Sequence, residues 1–310
     1  MPQRVYTLPT NKIQKMKEFY KNELQSTPQG AIFRAKTKNA VITGYKSGKV
    51  LFQGSSPEIE VKKWDLGLEK AKHTPKHKQT RAHSFTPPHI LYSSSHIGSD
   101  EAGTGDYFGP ITVACAFVPH DQIQTLKQLG VQDSKNLTDR TIRSIAKDII
   151  KLNIPYALLV LHNEKYNRLQ RKGWSQGKMK AMLHHHAINK LLQKINNQPN
   201  DGILIDQFCE PAVYQKYLAS ENESLPSNTY FLTKAESHSI AVAAGSIIAR
   251  TSFLKEMDKL SAETGMDLPK GASSKVDQVI AKVIKKYGKE SLSQIAKVHF
   301  ANTHKAEKYL

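Results

Sequence analysis

The chain has 310 residues, 39% of them hydrophobic, which is enough for two domains with packed cores. Its 45 Lys and Arg residues outnumber its 27 Asp and Glu residues, so its formal net charge is +18 at pH 7. This excess favours a polyanionic partner, either nucleic acid or an anionic membrane. The sequence has no long apolar run, signal peptide or basic amphipathic anchor. We therefore expect a cytoplasmic protein that binds nucleic acid and no membrane.

Residues 1–69 have the pattern of a small α+β domain that binds substrate. We predict a strand, a helix, two or three strands and a second helix, at Arg4–Pro9, Asn11–Leu24, Ala31–Lys38, Ala40–Lys46, Lys49–Gln53 and Pro57–Leu68. In the strand near residues 31–38, Arg34, Lys36 and Lys38 share one face, and the opposite face is more apolar. Such a face suits binding to a phosphate backbone, although lysines are also common on solvent-exposed strands.

Residues 70–88 have the composition of a flexible basic linker. Lys, His, Thr and Pro dominate the segment 72–78, and we identify no apolar residue able to anchor the linker to a domain. Residues 1–90 contain 17 Lys and Arg but only 6 Asp and Glu, so much of the positive charge lies in this part of the chain. We place a domain boundary here, and a catalytic domain over residues 89–310.

Strands and helices alternate in the remainder, which predicts an α/β domain around one sheet. Strand-like segments are His89–Tyr92 with Ile97–Glu101, Ile111–Val118, Ile154–His162, Gly202–Asp206 and Thr229–Thr233. Helix-like segments are Asp121–Leu129, Thr138–Leu152, Trp174–Ile195, Ala212–Ser220, Ser237–Leu260 and Lys275–Tyr287.

Two adjacent acids, Asp100 and Glu101, follow an apolar strand and precede Gly103 and Gly105. Neighbouring residues of a regular strand face opposite sides, so both acids can serve one site only if the strand ends or bends there. The glycines permit such a bend, and they also leave room for the backbone of a ligand.

Two further acids have a similar position in the pattern. Asp206 ends the apolar run 202–205, and the ends of buried strands in α/β sheets are where ligands bind. Glu236 lies between a strand and an alanine-rich helix, where a carboxylate interacts favourably with helix-terminal N–H groups. A helix-capping role for Glu236 is equally compatible with this position.

Four carboxylates in a basic protein indicate a metal-dependent reaction on nucleic acid. Like charges at close range repel, and divalent cations between them keep them ionised. Oxygen-only ligands favour Mg²⁺ or Mn²⁺, and two such ions can serve an in-line phosphodiester displacement. The run 184–186 of three histidines falls within a predicted helix, where consecutive side chains fan around the axis. We expect these histidines to pack or to contact phosphates, and not to converge on one metal.

The combination of motifs resembles the type 2 ribonuclease H group and, within it, the HIII subfamily. The resemblance rests on Asp-Glu-Ala-Gly-Thr-Gly at 100–105, Asp-Ser-Lys at 133–135, Asp206 after its strand, and Lys-Ala-Glu at 234–236 before the helix ending Ser-Ile-Ile-Ala-Arg at 246–250. It covers about residues 94–305, and the N-terminal unit looks like the TATA-binding-protein-like domain of that subfamily. The HII branch carries Asp in place of Glu236 and Arg in place of Thr104.

The resemblance implies an RNase H-like mixed sheet with flanking helices. It also implies that Asp100, Glu101, Asp206 and Glu236 bind the metal ions, two per site with substrate bound. The same resemblance suggests substrate contacts. Gly103, Thr104 and Gly105 would contact ribose 2′-hydroxyls, the group that distinguishes RNA from DNA, and Ser134, Lys135 and Lys234 would contact phosphates.

The function this implies is endonucleolytic hydrolysis of the RNA strand of RNA–DNA hybrids by a monomer, leaving 5′-phosphate and 3′-hydroxyl ends. Thr104 makes single embedded ribonucleotides poor substrates in this interpretation. Three alternatives remain open: a hybrid-binding protein without catalysis, a DNA strand-transfer enzyme on the same fold, and a nuclease of double-stranded RNA.

Overall fold

The computed structural model describes residues 3–28, 30–64, 85–132, 134, 137–196 and 198–310. The chain divides into two compact units, residues 1–79 and 80–310. Most of the predicted linker and the candidate site residue Lys135 lie outside the described residues.

The first unit is a four-stranded antiparallel sheet with two helices. Its elements in chain order are β1 Gln3–Thr7, α1 Thr10–Phe19, β2 Ala31–Lys36, β3 Val41–Tyr45, β4 Lys49–Gln53 and α2 Pro57–Lys62. The strand order is β1-β4-β3-β2, and every pair of neighbours is antiparallel. The unit therefore has the α+β composition that the sequence predicted.

The two faces of β2 differ as expected from its alternating sequence. Phe33 and Ala35 are fully buried in a core that includes Ile13 and Met16 of α1. Arg34 is half-buried and Lys36 exposed on the opposite face. The basic residues therefore lie on the side of the strand that faces away from this core.

The second unit is organised around a five-stranded mixed sheet. Its strands are β5 His96–Ala102, β6 Ile111–Val118, β7 Tyr156–Leu161, β8 Ile203–Asp206 and β9 Thr229–Leu232. The strand order is β7-β6-β5-β8-β9. Strands β5, β6 and β7 pair antiparallel, whereas β8 is parallel to both β5 and β9.

Helices cover both faces of this sheet. The described helices are α3 Ile123–Gln128, α4 Asp139–Lys151, α5 Asn163–Arg171, α6 Gln176–Ile195, α7 Pro211–Ala219, α8 Ile240–Thr264, α9 Ser274–Tyr287, α10 Leu292–Ile295 and α11 Asn302–Lys305. Val113 and Cys115 of β6 pack in one core with α6, whereas Ala114 and Ala116 pack in another with α8. Because successive side chains of β6 point to opposite faces of the sheet, this one strand packs against a helix on each side.

Helix α8 lies unusually close to the sheet because small residues meet there. A Cβ atom on Gly98 of β5 would lie 2.0 Å from the backbone nitrogen of Val242. A Cβ atom on Gly245 of α8 would lie 3.0 Å from the carbonyl oxygen of Ala114. The two glycines allow this approach, and it brings Ser246 next to the end of β5.

Two expectations at the start of this unit were wrong. The segment His89–Tyr92, predicted as strand-like, lies in a 3-10 helix, His89–Ser93, in which Leu91 N donates to the carbonyl of Pro88. Phe85, which we included in a linker without anchors, packs its ring against Phe231 with centroids 6.0 Å apart. Its carbonyl also accepts a hydrogen bond from Phe231 N.

Among the described residues, no helix combines the length and the apolar composition that a bilayer-spanning segment needs.

Candidate active site

The parallel pairing of β5 and β8 places Asp206 beside Asp100. Ser99 is in register with Ile205, so the next residue of each strand is an aspartate. Because the two strands run in the same direction, both aspartates lie at the same edge of the sheet. The side chains of Asp100, Glu101 and Asp206 line one cavity of about 470 Å³ at this edge.

Asp100 and Glu101 point to opposite faces of the sheet. The strand stays regular through Ala102, with Asp100 opposite Ala114 and Glu101 opposite Val113. Asp100 is directed toward Ser246 of α8, whereas Glu101 contacts α6. The strand ends at Ala102, and the chain turns at Gly103, which has φ +85°. The cavity extends around the sheet edge and includes both acids.

Asp100 is in a strongly unfavourable setting for a negative charge. It is 7% exposed, and burial together with the charges of Glu101 and Asp206 holds its pKa well above the usual range. A hydrogen bond from Ser246 and one from the backbone N–H of Glu101 act in the opposite direction. Among the described residues, the interactions that shift this pKa include no positively charged side chain, whereas Glu101 has two such partners.

Glu101 is held by two basic side chains of α6. Lys180 Nζ lies 2.7 Å from Oε1, and His184 Nε2 lies 2.9 Å from Oε2. Burial alone would raise the pKa of Glu101, but His184 and Lys180 lower it to about 2. The other ring nitrogen of His184 is 2.7 Å from the Ser99 hydroxyl, which fixes the orientation of the imidazole.

Glu236 is buried just beyond the same edge of the sheet, but it is not among the residues that line the cavity. Lys234 adopts a left-handed conformation at φ +60°, which turns the chain after β9. The backbone N–H of Ala235 then donates to Asp206 Oδ1 at 2.9 Å. Asp206 and the turn carrying Glu236 are therefore fixed to each other, while the side chain of Lys234 is exposed.

The glycine loop forms one wall of the cavity, through Gly103, Thr104 and Gly105. Gly103 has φ +85°, and a Cβ there would lie 2.3 Å from the Pro110 carbonyl oxygen. A Cβ on Gly105 would meet nothing within 4 Å. The Thr104 hydroxyl oxygen is buried and has no hydrogen-bond partner in the part of the chain that the structure describes.

Only some of the other candidate substrate-binding residues lie at the cavity. Ser134 lines the cavity and lies 2.8 Å from the Ser246 hydroxyl. Arg250 and Asp139 also line it and pair with each other at 3.4 Å. Arg34, Lys36 and Lys38 belong to the first unit. Strand β2 ends at Lys36, so Lys38 lies beyond the strand that we expected to carry it.

Several contacts of the site were not predicted from the sequence. Lys180 and His184 are one helical turn apart, a spacing that places both on one face of α6, and this was the available signal. We expected the histidine run to pack or to contact phosphates, and the contact of His184 with Glu101 was not foreseen. Gln176, whose side-chain amide donates to the Thr104 carbonyl at 3.1 Å, had no sequence signal.

Comparison with known proteins identifies the family. The family model described as Ribonuclease HII matches residues 97–303, and one described as Domain of unknown function (DUF3378) matches residues 3–80. Ribonuclease HIII of Oceanobacillus iheyensis is 61% identical over 100% of both chains. Ribonuclease HIII of Bacillus licheniformis is 51% identical over 99% of this chain and 98% of the relative.

Solved structures agree with these matches. The structure of Bst-RNase HIII in complex with Mn²⁺ is 43% identical, covers 99% of this chain and 98% of its own, and has a TM-score of 0.69. Aquifex aeolicus RNase H3 shares the fold, with a TM-score of 0.55 at 20% identity and coverage of 96% and 99%. These likenesses confirm the predicted RNase H-like fold. The chain therefore belongs to the ribonuclease HIII family of endonucleases.

Proposed function

We propose that the chain hydrolyses the RNA strand of RNA–DNA hybrids with divalent metal ions held by Asp100, Glu101, Asp206 and Glu236. The observation that carries the proposal is the cavity lined by three of these acids together with the glycine loop. The relatives are ribonucleases, and one solved relative contains Mn²⁺. Water adds to phosphorus, the bond to the 3′ oxygen breaks, and that oxygen gains a proton. The products carry 5′-phosphate and 3′-hydroxyl ends.

The residues present fit a hard divalent cation. The acidic ligands supply oxygen donors only, which suits Mg²⁺ or Mn²⁺. The raised pKa of Asp100, caused by burial and by the charges of Glu101 and Asp206, indicates negative charge that a cation would neutralise. When bound, two such ions supply an activated water and stabilise the leaving oxygen.

The protein side chains hold and orient the acids in this proposal. Ser246 and the backbone of Glu101 direct the Asp100 carboxylate, and the N–H of Ala235 directs that of Asp206. Lys180 and His184 keep Glu101 ionised and restrict its rotation. Preorganised ligands of this kind reduce the reorganisation needed when substrate arrives.

The glycine loop would select for ribose. Gly105 is exposed with open space beside it, which leaves this part of the loop free to contact 2′-hydroxyls. The buried Thr104 hydroxyl has no hydrogen-bond partner among the described residues, so it could accept or donate one if substrate binding exposes it. Thr104 replaces the arginine of the HII branch, so we propose that single embedded ribonucleotides are poor substrates. Ser134, Lys135 and Lys234 would contact phosphates.

The N-terminal unit, residues 1–69, would supply affinity for the hybrid through the basic face of β2, and a linker at 70–88 would join it to the catalytic domain at 89–310. We further propose that the protein acts as a cytoplasmic monomer.

The test is cleavage of four substrates, with and without Mg²⁺: hybrid, RNA duplex, DNA duplex and DNA with one ribonucleotide. We expect hybrid to be cut and the others to be poor substrates. Asp206→Asn should reduce hybrid cleavage at least about 100-fold, because a ligand charge is lost. Asp201→Asn, at the opposite end of β8, is the matched control and should keep full activity. Undiminished cleavage by Asp206→Asn would overturn the assignment.

A further inference from the structure

A cluster of side chains of the kind that can bind a metal ion lies outside the acidic cavity. His185 and His186 of α6 and Glu223, which follows α7, each offer one ligand atom, and the three atoms lie within 4.8 Å of one another. Within the described residues, it is the one group of at least three histidine, cysteine or acidic side chains whose ligand atoms lie this close together. The adjacent histidines do fan around the helix, but Glu223 comes from another segment and lies within reach of both.

We propose that His185, His186 and Glu223 form a binding site for a borderline transition-metal ion such as Zn²⁺, distinct from the oxygen-only acidic site. Two imidazoles with a carboxylate match the ligand preference of zinc, whereas Mg²⁺ prefers oxygen ligands. The proposal does not depend on the proposed function, since it concerns other residues and a different class of ion.

The hydrogen bonding around His185 supports the site. Its Nε2 lies 3.0 Å from Glu223 Oε2 and also 3.0 Å from the Asn189 side-chain amide nitrogen. One ring nitrogen carries either a proton or a lone pair, so it cannot donate to the carboxylate and accept from the amide at once. Turning the Asn189 amide by 180° removes the conflict and presents its oxygen. His185 Nε2 then faces two oxygen atoms, an arrangement that suits either a proton or a cation in its place.

The distances between the ligand atoms and the exposure of the two histidines are also compatible with a bound ion. With metal–ligand bonds of about 2.1 Å, tetrahedral donors lie roughly 3.4 Å apart, close to the observed separation of His185 and Glu223. His185 is 2% exposed and therefore fixed, whereas the side chain of His186 is exposed. Rotation of His186 can close the remaining distance, and its exposure gives the ion a path from solvent.

The site would join α6 to the segment after α7. Helix α6 also carries Lys180 and His184, which hold Glu101. A bound ion should therefore stabilise the fold, because it binds the native arrangement and not the unfolded chain. We expect Zn²⁺ to raise the melting temperature of the full chain.

The experiment is calorimetric titration of the untagged full chain with Zn²⁺ in excess Mg²⁺, which occupies the oxygen-only site. Wild type should bind one Zn²⁺ that His186→Ala and Glu223→Gln lose, with at least a tenfold drop in affinity. Matched controls are His304→Ala, another exposed histidine, and Glu221→Gln, a carboxylate two residues from Glu223. Both controls should bind Zn²⁺ as wild type does.

Co²⁺ absorption provides a second readout, since nitrogen ligation in a tetrahedral site gives visible bands that His186→Ala should remove. Circular dichroism will verify that each variant is folded. Equal zinc stoichiometry and affinity in wild type, His186→Ala and Glu223→Gln would overturn the proposal. Hybrid cleavage in Mg²⁺ should be unchanged in both variants, and loss of binding with retained cleavage separates this site from the acidic one.

Discussion

The ammonium group of Lys180 lies 2.7 Å from a carboxylate oxygen of Glu101, and both side chains are largely buried. The second oxygen of Glu101 is held by His184, so α6 fixes both oxygens of a proposed metal ligand. Lys180 also lies 3.9 Å from the centroid of the Phe208 ring, which restricts its own position. Glu101 is thus oriented by a rigid helix, and not by the glycine loop that follows it in sequence.

Lys180→Met should weaken metal binding about tenfold or more, because residues that orient metal ligands have effects of this size. Titration of Mn²⁺ by calorimetry measures the affinity directly. Hybrid cleavage at saturating Mn²⁺ should recover most of its rate, since the ligand itself remains. Lys178→Met is the control: Lys178 is on the same helix but pairs with Glu221 at 2.5 Å. Equal metal affinities in the two variants would contradict a role for Lys180.

Gly103 and Gly105 should respond differently to alanine. Gly103→Ala places a Cβ 2.3 Å from the Pro110 carbonyl oxygen in a left-handed backbone, and we expect a loss of stability of about 1–3 kcal/mol. Gly105→Ala meets nothing within 4 Å, so its melting temperature should match that of wild type. Any loss of cleavage in Gly105→Ala then reports on substrate contact.

The different effects of Gly103→Ala and Gly105→Ala can be checked by measuring the melting temperature and the KM for hybrid of both variants. A destabilised Gly105→Ala protein would show that the loop is packed more tightly than the structure indicates.

The sequence predicted the elements of the sheet and three of the cavity acids because strand-end positions follow from local pattern. It left open whether the strand stays regular through Asp100 and Glu101, because that depends on how far β5 pairs with β6. It also missed the contacts of Lys180 and His184 with Glu101, which arise from the packing of α6 on the sheet. Such contacts join residues about 80 positions apart, as in Lys180 to Glu101, and no local pattern encodes them.

Lys297 should make stability depend on pH. Its side chain is fully buried, and burial lowers its pKa to about 7, while the carbonyls of Asp106 and Gly109 accept hydrogen bonds from Nζ. The folded-state pKa is below the unfolded value, so between pH 7 and about 10 the unfolded chain binds more protons. Stability should therefore rise with pH in this window, by at most about 1.4 kcal/mol per unit.

Urea unfolding of the full chain at several pH values measures this slope. Lys297→Met should remove the rise, whereas Lys282→Met, at an exposed position of α9, should keep it. The same slope in all three proteins would show that Lys297 titrates normally.

The basic face of β2 should determine part of the salt dependence of hybrid binding. Each phosphate contact that is lost lowers the slope of log K against log salt by about 0.9. Replacing Arg34 and Lys36 of β2, together with Lys38 just after the strand, by Gln should therefore reduce the slope by up to about 3 and weaken binding at low salt. Fluorescence anisotropy in Ca²⁺ or in the Asp206→Asn background, in which we expect slow cleavage, measures the slope on intact hybrid. The control replaces Lys12, Lys15 and Lys17 of α1, the helix that packs on the opposite face of the sheet through Ile13 and Met16. Since it removes the same charge from the same unit, an equal loss of slope in both triple variants would mean that net charge, and not the β2 face, governs binding.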